Sequence, residues 1–154
     1  MRQLAIIILG LGASLILFEG CKKYPEGPAI SLRSKKERVA NTWKLDQLKS
    51  HGVDSTAYYT NILKDYTVSL TKSGTYTISY YVAVPNFGNV TNTETGDWSF
   101  SSGKEDLKIT PKSITFGSVP SPTVLQILKL YEKELWLRTI DANGTDKEYH
   151  FSPK

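Results

Sequence analysis

Tyr66-Thr67-Val68-Ser69-Leu70-Thr71-Lys72-Ser73-Gly74-Thr75-Tyr76-Thr77-Ile78-Ser79-Tyr80 decides the fold of this chain. Tyr66, Val68 and Leu70 alternate with polar neighbours. A short turn sequence, Lys72-Ser73-Gly74, interrupts the pattern. The alternation then resumes through Tyr76, Ile78, Tyr80, Val82 and Val84. A period of two marks a strand with one buried face. Aromatic and β-branched residues favour that state. A connection this short makes the two strands antiparallel neighbours.

Outward from this hairpin the pattern recurs. Trp98 and Phe100 alternate, as do Leu107 and Ile109, Ile114 and Phe116, Leu135 and Leu137, and Tyr149 and Phe151. Turn residues lie between them at Ser101-Ser102-Gly103, Thr110-Pro111-Lys112 and Asp141-Ala142-Asn143-Gly144. About nine strands are predicted, near 42–48, 65–72, 75–84, 96–101, 105–110, 113–117, 123–131, 134–140 and 145–152. Two long connections remain, residues 50–63, with a helical turn around Ala57 to Leu63, and Pro85 to Thr95. Ser34-Lys35-Lys36-Glu37 fits a capping box and predicts a short helix from about Lys35 to Ala40. The fold class is all-β: an antiparallel up-and-down meander of about eight to nine strands closing into a barrel, with a short N-terminal helix. Closure removes exposed sheet edges. A two-sheet sandwich is the alternative, and it needs longer crossings than this meander offers.

The N-terminus reads differently. Arg2 precedes an apolar run of 15 residues from Leu4 to Phe18, followed by Glu19-Gly20-Cys21. This is the order of a secretory signal peptide. As a helix the run spans roughly 22 Å, short of the ~30 Å hydrocarbon core that a permanent membrane helix must cross. Cys21 is the sole cysteine, so no intramolecular disulfide can form. A cysteine directly after a small residue resembles a bacterial lipoprotein signal. That resemblance implies a diacylglyceryl group on the Cys21 thiol, which becomes the new N-terminus after cleavage. A freely secreted domain is the alternative. The predicted organisation is a signal peptide over 1–20, a lipidated Cys21 with a flexible basic tether over 21–33, and a barrel domain over 34–154.

The net charge of +4 sits in residues 22–38, the tether and the short helix that follows it. Residues 22–38 carry Lys22, Lys23, Arg33, Lys35, Lys36 and Arg38 against Glu26 and Glu37, whereas residues 39–154 are balanced. A basic segment beside a lipid anchor is attracted to anionic headgroups by ~1 kcal/mol per basic residue; a solvated linker is the plainer reading. No nucleic acid is expected as a partner. The expected location is the cell envelope, as an outer-membrane lipoprotein. Lys22-Lys23 lacks the acidic residues of the related surface-export signal, which favours the periplasmic face over the cell surface.

With Cys21-Lys22-Lys23-Tyr24-Pro25-Glu26-Gly27-Pro28, Ser31-Leu32-Arg33-Ser34-Lys35-Lys36 and Asn41-Thr42-Trp43-Lys44-Leu45, the chain resembles the lipocalin-like lipoproteins of Bacteroidetes. The resemblance implies a lipocalin-like barrel. Lipocalins have a short helix before the first strand and Gly-x-Trp at its start. Trp43 matches the Trp, and Asn41 stands where the Gly would be. In lipocalins the Trp packs on an Arg near the last strands. Arg138 is the sole arginine after residue 38, so Trp43 and Arg138 are the expected barrel-closing pair.

Little in the sequence points to catalysis. His51 and His150 are the two histidines, and no spacing of His, Cys, Asp or Glu suits a metal. Nucleophile-elbow and phosphate-loop motifs are missing. Glu94 with Asp97, and Glu105 with Asp106, lie beside predicted turns and read as solvated charge. The expectation is no enzyme, no metal and no cofactor. The aromatic residues are the remaining signal. Tyr66, Tyr76, Tyr80, Trp98 and Phe100 fall on the face predicted to point inward. Tyr58, Tyr59 and Phe87 fall on the long connections that border a barrel mouth. A barrel of about eight strands is either filled by side chains or holds one small ligand, and buried tyrosine hydroxyls need partners. The expected function is a membrane-anchored binding protein for a small hydrophobic or amphipathic ligand. The alternative is a filled barrel that docks an envelope protein. Asp54-Ser55-Thr56 resembles a short O-glycosylation motif and makes Ser55 a candidate site.

Overall fold

Eight strands follow one another antiparallel around a single sheet, and the first pairs with the last. The computed structural model describes residues 32–86, 88–141 and 143–154. The predicted signal peptide, Cys21, most of the predicted tether and Phe87 lie outside the described residues. The barrel consists of β1 (Thr42–Ser50), β3 (Lys64–Leu70), β4 (Thr75–Val84), β5 (Gly88–Phe100), β6 (Asp106–Ile114), β7 (Thr123–Leu130), β8 (Leu135–Ile140) and β9 (Asp146–Pro153), with β2 (Val53–Asp54) added to the end of β1. Closure runs along β1 and β9 from Trp43 opposite Pro153 to Ser50 opposite Lys147. One continuous closed sheet replaces the sandwich alternative. On its other side β1 meets β3 at only Thr42, Trp43 and Lys44, opposite Ser69, Val68 and Thr67. Beyond that short seam helix α2 (Thr56–Ile62) packs against β1 and β3.

Alternation alone would put Leu45 and Leu48 on opposite faces. A register shift between Leu45 and Gln47 sets Leu45 opposite Phe151 and Leu48 opposite Tyr149. Directly opposed residues share a face, so both leucines point inward.

Two predicted boundaries differ from the structure. Residues 88–95 are strand and not loop, because the β4–β5 turn is tight: Asn86 and Gly88 take positive φ of 68° and 78°. The strands predicted at 105–110 and 113–117 are one strand, β6, running through Pro111. A proline is tolerated in a sheet at a bulge, where its missing N–H leaves no ladder bond unmade. Pro111 lies opposite Gly96 where the β5–β6 register shifts. A Cβ on Gly96 would lie 2.2 Å from the Thr110 carbonyl oxygen and 2.7 Å from the Tyr76 ring, so the close approach requires glycine.

The two ends of the barrel are built differently. At one end helix α1 (Lys35–Val39) sits against the turn after β3 and the end of β7, where Glu37 pairs with Lys72 and Arg38 reaches Leu130. Ser34 caps it: its Oγ accepts from the Glu37 N–H at 3.2 Å, and Glu37 Oε2 accepts from the Ser34 N–H at 3.0 Å. Val39 and Trp43 are fully buried, and Trp43 Nε1 donates to the Val39 carbonyl at 2.9 Å. Trp98 Nε1 donates to the Thr71 carbonyl at 3.0 Å, and its ring meets Phe100 edge-on. Leu70, Leu107, Leu130 and Leu135 complete this closed core. At the opposite end are α2, the β4–β5 turn, residues 115–122 and residues 141–145.

Candidate functional site

A cavity of about 300 Å3 occupies the barrel between the closed core and the open end. Every strand from β3 to β9 contributes to its wall. Val68, Leu107, Ile109, Leu125 and Leu137 supply aliphatic surface. Tyr66, Tyr76 and Tyr149 add rings, and Glu94 is the carboxylate inside. Pro120, Asp141 and Lys147 lie towards the opening. Strand alternation explains this set. On β4 and β5 the even-numbered residues face inward, and Glu94 opposes Ile78 as Tyr76 opposes Gly96.

The polar groups in this apolar space are organised. Tyr76 donates its hydroxyl to Glu94 Oε1 at 2.5 Å. Burial, with the neighbouring Glu94 carboxylate, pushes the Tyr76 phenol far above its ordinary value. Burial raises Tyr66 further still, and the Tyr149, Glu94, Tyr80 and Tyr76 groups around it act in the same direction. Tyr149 is pushed up to about 12, first by burial and then by Tyr59 and Asp141. The interior therefore holds neutral phenols around one carboxylate.

Above the cavity Tyr80 stacks on Tyr66 at 5.8 Å between ring centroids. It accepts from Asn92 Nδ2 at 2.8 Å. Asn92 is buried, and its amide also bonds both backbone groups of Phe116. Beyond this pair an apolar groove of about 640 Å3 runs beneath the β4–β5 hairpin, lined by Val82, Val84, Val90 and Phe116. A larger cleft of about 690 Å3 lies over the β1–β3 seam. Lys44, Lys64, Asp65 and Lys154 line it, and Lys44 is paired with Asp46.

The sequence-predicted residues separate into groups. Tyr66 and Tyr76 line the cavity, and Tyr80 stands at its outer edge. Trp98 and Phe100 belong to the closed core and not to the cavity wall. Tyr59 lies at the mouth, with the Lys147 ammonium 5.9 Å from its ring centroid. Tyr58 meets Tyr59 edge-on but is largely solvent-exposed. Phe87 lies outside the described residues. Ser55 is partly buried and precedes α2; its neighbour Asp54 accepts from Thr56 and Gln47, which hold its carboxyl down at about 2.

The Trp43–Arg138 pair does not form. Leu135 and Leu137 face the core, so alternation sends Arg138 to the outer surface. There it clamps Asp146 through Nε at 2.8 Å and Nη2 at 2.6 Å. The buried arginine at the closed end is Arg38, on α1, whose Nη1 donates to the Leu130 carbonyl at 2.7 Å. Glu94 is the residue that sequence reading missed. Its signal is its spacing of four and six from the inward-facing Trp98 and Phe100 in an extended segment.

No protein-family model matches this chain. No curated protein matches it. Among solved structures, a lipocalin-like protein from Bacteroides uniformis ATCC 8492 is similar at 16% identity and a TM-score of 0.45, over 76% of this chain and 99% of that one.

Proposed function

We propose that this protein is a binding barrel for one small hydrophobic or amphipathic molecule, held at a membrane of the cell envelope by a lipid on Cys21. The cavity carries this reading. Its volume of about 300 Å3 matches the lower end of ordinary ligand sites, roughly 300–1,000 Å3, and favours a small ligand over a filled barrel. Glu94 and the tyrosine hydroxyls offer hydrogen bonds to a polar group, and the aliphatic wall suits an apolar body. These groups fix and orient a ligand; they do not supply a nucleophile with a base, so the reading is of a binding protein and not an enzyme. The groove beneath the β4–β5 hairpin gives an apolar approach to the mouth. The expected periplasmic position at the outer membrane belongs to the same proposal.

Intact-mass measurement tests the binding half. The protein is extracted gently from its own host and weighed under native and denaturing conditions. A discrete difference of a few hundred daltons supports the reading, and its value gives the ligand class. Equal masses, with an envelope protein recovered by crosslinking, support the docking alternative. For the anchor, Cys21→Ser is expected to abolish incorporation of labelled fatty acid and move the protein into the soluble fraction.

A further inference from the structure

A carboxylate in an apolar cavity needs an explanation. Glu94 is half-buried there, and taking an ion even partly out of water costs free energy unless it is paired and hydrogen-bonded. Glu94 has one hydrogen bond among the described residues, from Tyr76, and no cationic side chain among them forms an ion pair with it. Lys147, which also lines the cavity, has its ammonium near the Tyr59 ring at the mouth. Asp141, the other lining carboxylate, accepts the backbone N–H groups of Asn143 and Thr145 in its own turn. The ionisable lining is thus two carboxylates against one ammonium, and the innermost of the three is Glu94. Around it stand the rings of Tyr66, Tyr76 and Tyr149, whose faces attract cations.

We propose that the cavity selects a ligand bearing an ammonium group, paired with Glu94 and surrounded by the tyrosine rings. The inference rests on the binding reading above and adds the charge of the ligand. Glu94 Oε1 is held by Tyr76, and Oε2 is left to receive the ammonium. The apolar body of the ligand lies against Val68, Ile109, Leu125 and Leu137.

The test uses three probes of one shape and different charge: phenethylammonium, phenethyl alcohol and phenylacetate. Each is titrated calorimetrically into the full mature chain in nanodiscs, with empty nanodiscs as the blank. A charge-assisted contact predicts that phenethylammonium binds about 10- to 100-fold tighter than the alcohol. Glu94→Gln, which keeps an oxygen for the Tyr76 hydroxyl, is expected to remove that preference. Tyr76→Phe, which keeps the ring and the carboxylate, is expected to retain it. Circular dichroism checks that both variants fold. If the ammonium and the alcohol bind equally and Glu94→Gln changes neither, the ammonium assignment is overturned while the binding barrel stands. Tightest binding of phenylacetate overturns it as well and assigns the charge preference to Lys147. If none of the three binds, the small-ligand reading fails together with the inference built on it.

Discussion

The closed end and the open half of this barrel are made from the same alternating strands, yet they treat large side chains in opposite ways. At the closed end, Trp43 and Trp98 are buried among leucines, and each indole N–H is bonded to a backbone carbonyl. Neither indole N–H is left to a guest. In the open half tyrosines replace tryptophans, the packing leaves about 300 Å3 empty, and the hydroxyl of Tyr76 is spent on the Glu94 carboxylate. The contrast separates what holds the fold together from what receives a ligand, although both lie on one continuous sheet.

Mutations can break that contrast, and the closed end carries the largest effect. Trp43→Ala is expected to cost about 3–5 kcal/mol in urea unfolding, since it removes a fully buried ring and its hydrogen bond. Leu130→Ala and Ile78→Ala sharpen the same point. Both delete comparable volume, but Ile78 borders space that is already empty, so its loss should lie near the low end of the usual ~2–5 kcal/mol and that of Leu130 near the high end. Equal losses would mean that the cavity is collapsed in solution.

Next is an alkaline effect of the open half. Tyr149 stays protonated up to about 12 in the folded protein, against about 10 in an unfolded chain. The unfolded state therefore binds fewer protons above pH 10. Stability from the neutral phenol is intact below that value and is lost as pH rises through the folded one, by on the order of 2 kcal/mol for Tyr149. Tyr66 and Tyr76 are shifted in the same direction and add to it. Urea midpoints measured at pH 9, 10 and 11 should fall mainly between 10 and 11, and unfolding at pH 11 should add the phenolate absorbance of Tyr66, Tyr76 and Tyr149 to that of the exposed tyrosines.

A smaller effect tests the boundary between the halves. Gly96→Ala brings a methyl group against the Thr110 carbonyl and the Tyr76 ring, and overpacking of this kind costs about 1–3 kcal/mol. Smallest is Arg138→Ala. Its ion pair with Asp146 lies on the surface, with the Arg138 side chain 40% exposed, and such pairs contribute about 0.2–1 kcal/mol. A larger loss of melting stability would mean that the Asp146 clamp holds the β8–β9 hairpin more firmly than a surface pair does.

The hairpin from Tyr66 to Tyr80 was legible because every inward residue in it is apolar and every outward one polar. The closing of the sheet followed from the short turns. The first half of β5 was not legible. Val90, Asn92 and Glu94 point inward there, and two polar residues on a buried face look like a loop until their partners, Tyr80 and Tyr76, are known. Pro111 hid the continuity of β6 for a similar reason, since its tolerance depends on Gly96 on the opposite strand. The assignment of Arg138 failed because the resemblance gave a residue type and a region but not a face, and alternation from Leu137 decides the face.

The lopsided pairing of β1 has a kinetic consequence. Three residue pairs tie it to β3, while nearly its whole length is zipped to β9, a strand about a hundred residues later in the chain. Loops of that size close slowly, and folding rates fall as sequence separation between contacts grows. As the chain emerges during synthesis, β1 waits with one edge almost bare until Asp146–Pro153 has arrived. The barrel then forms late and all at once, and a chain interrupted before β9 presents two sheet edges to its neighbours, the condition under which strands aggregate.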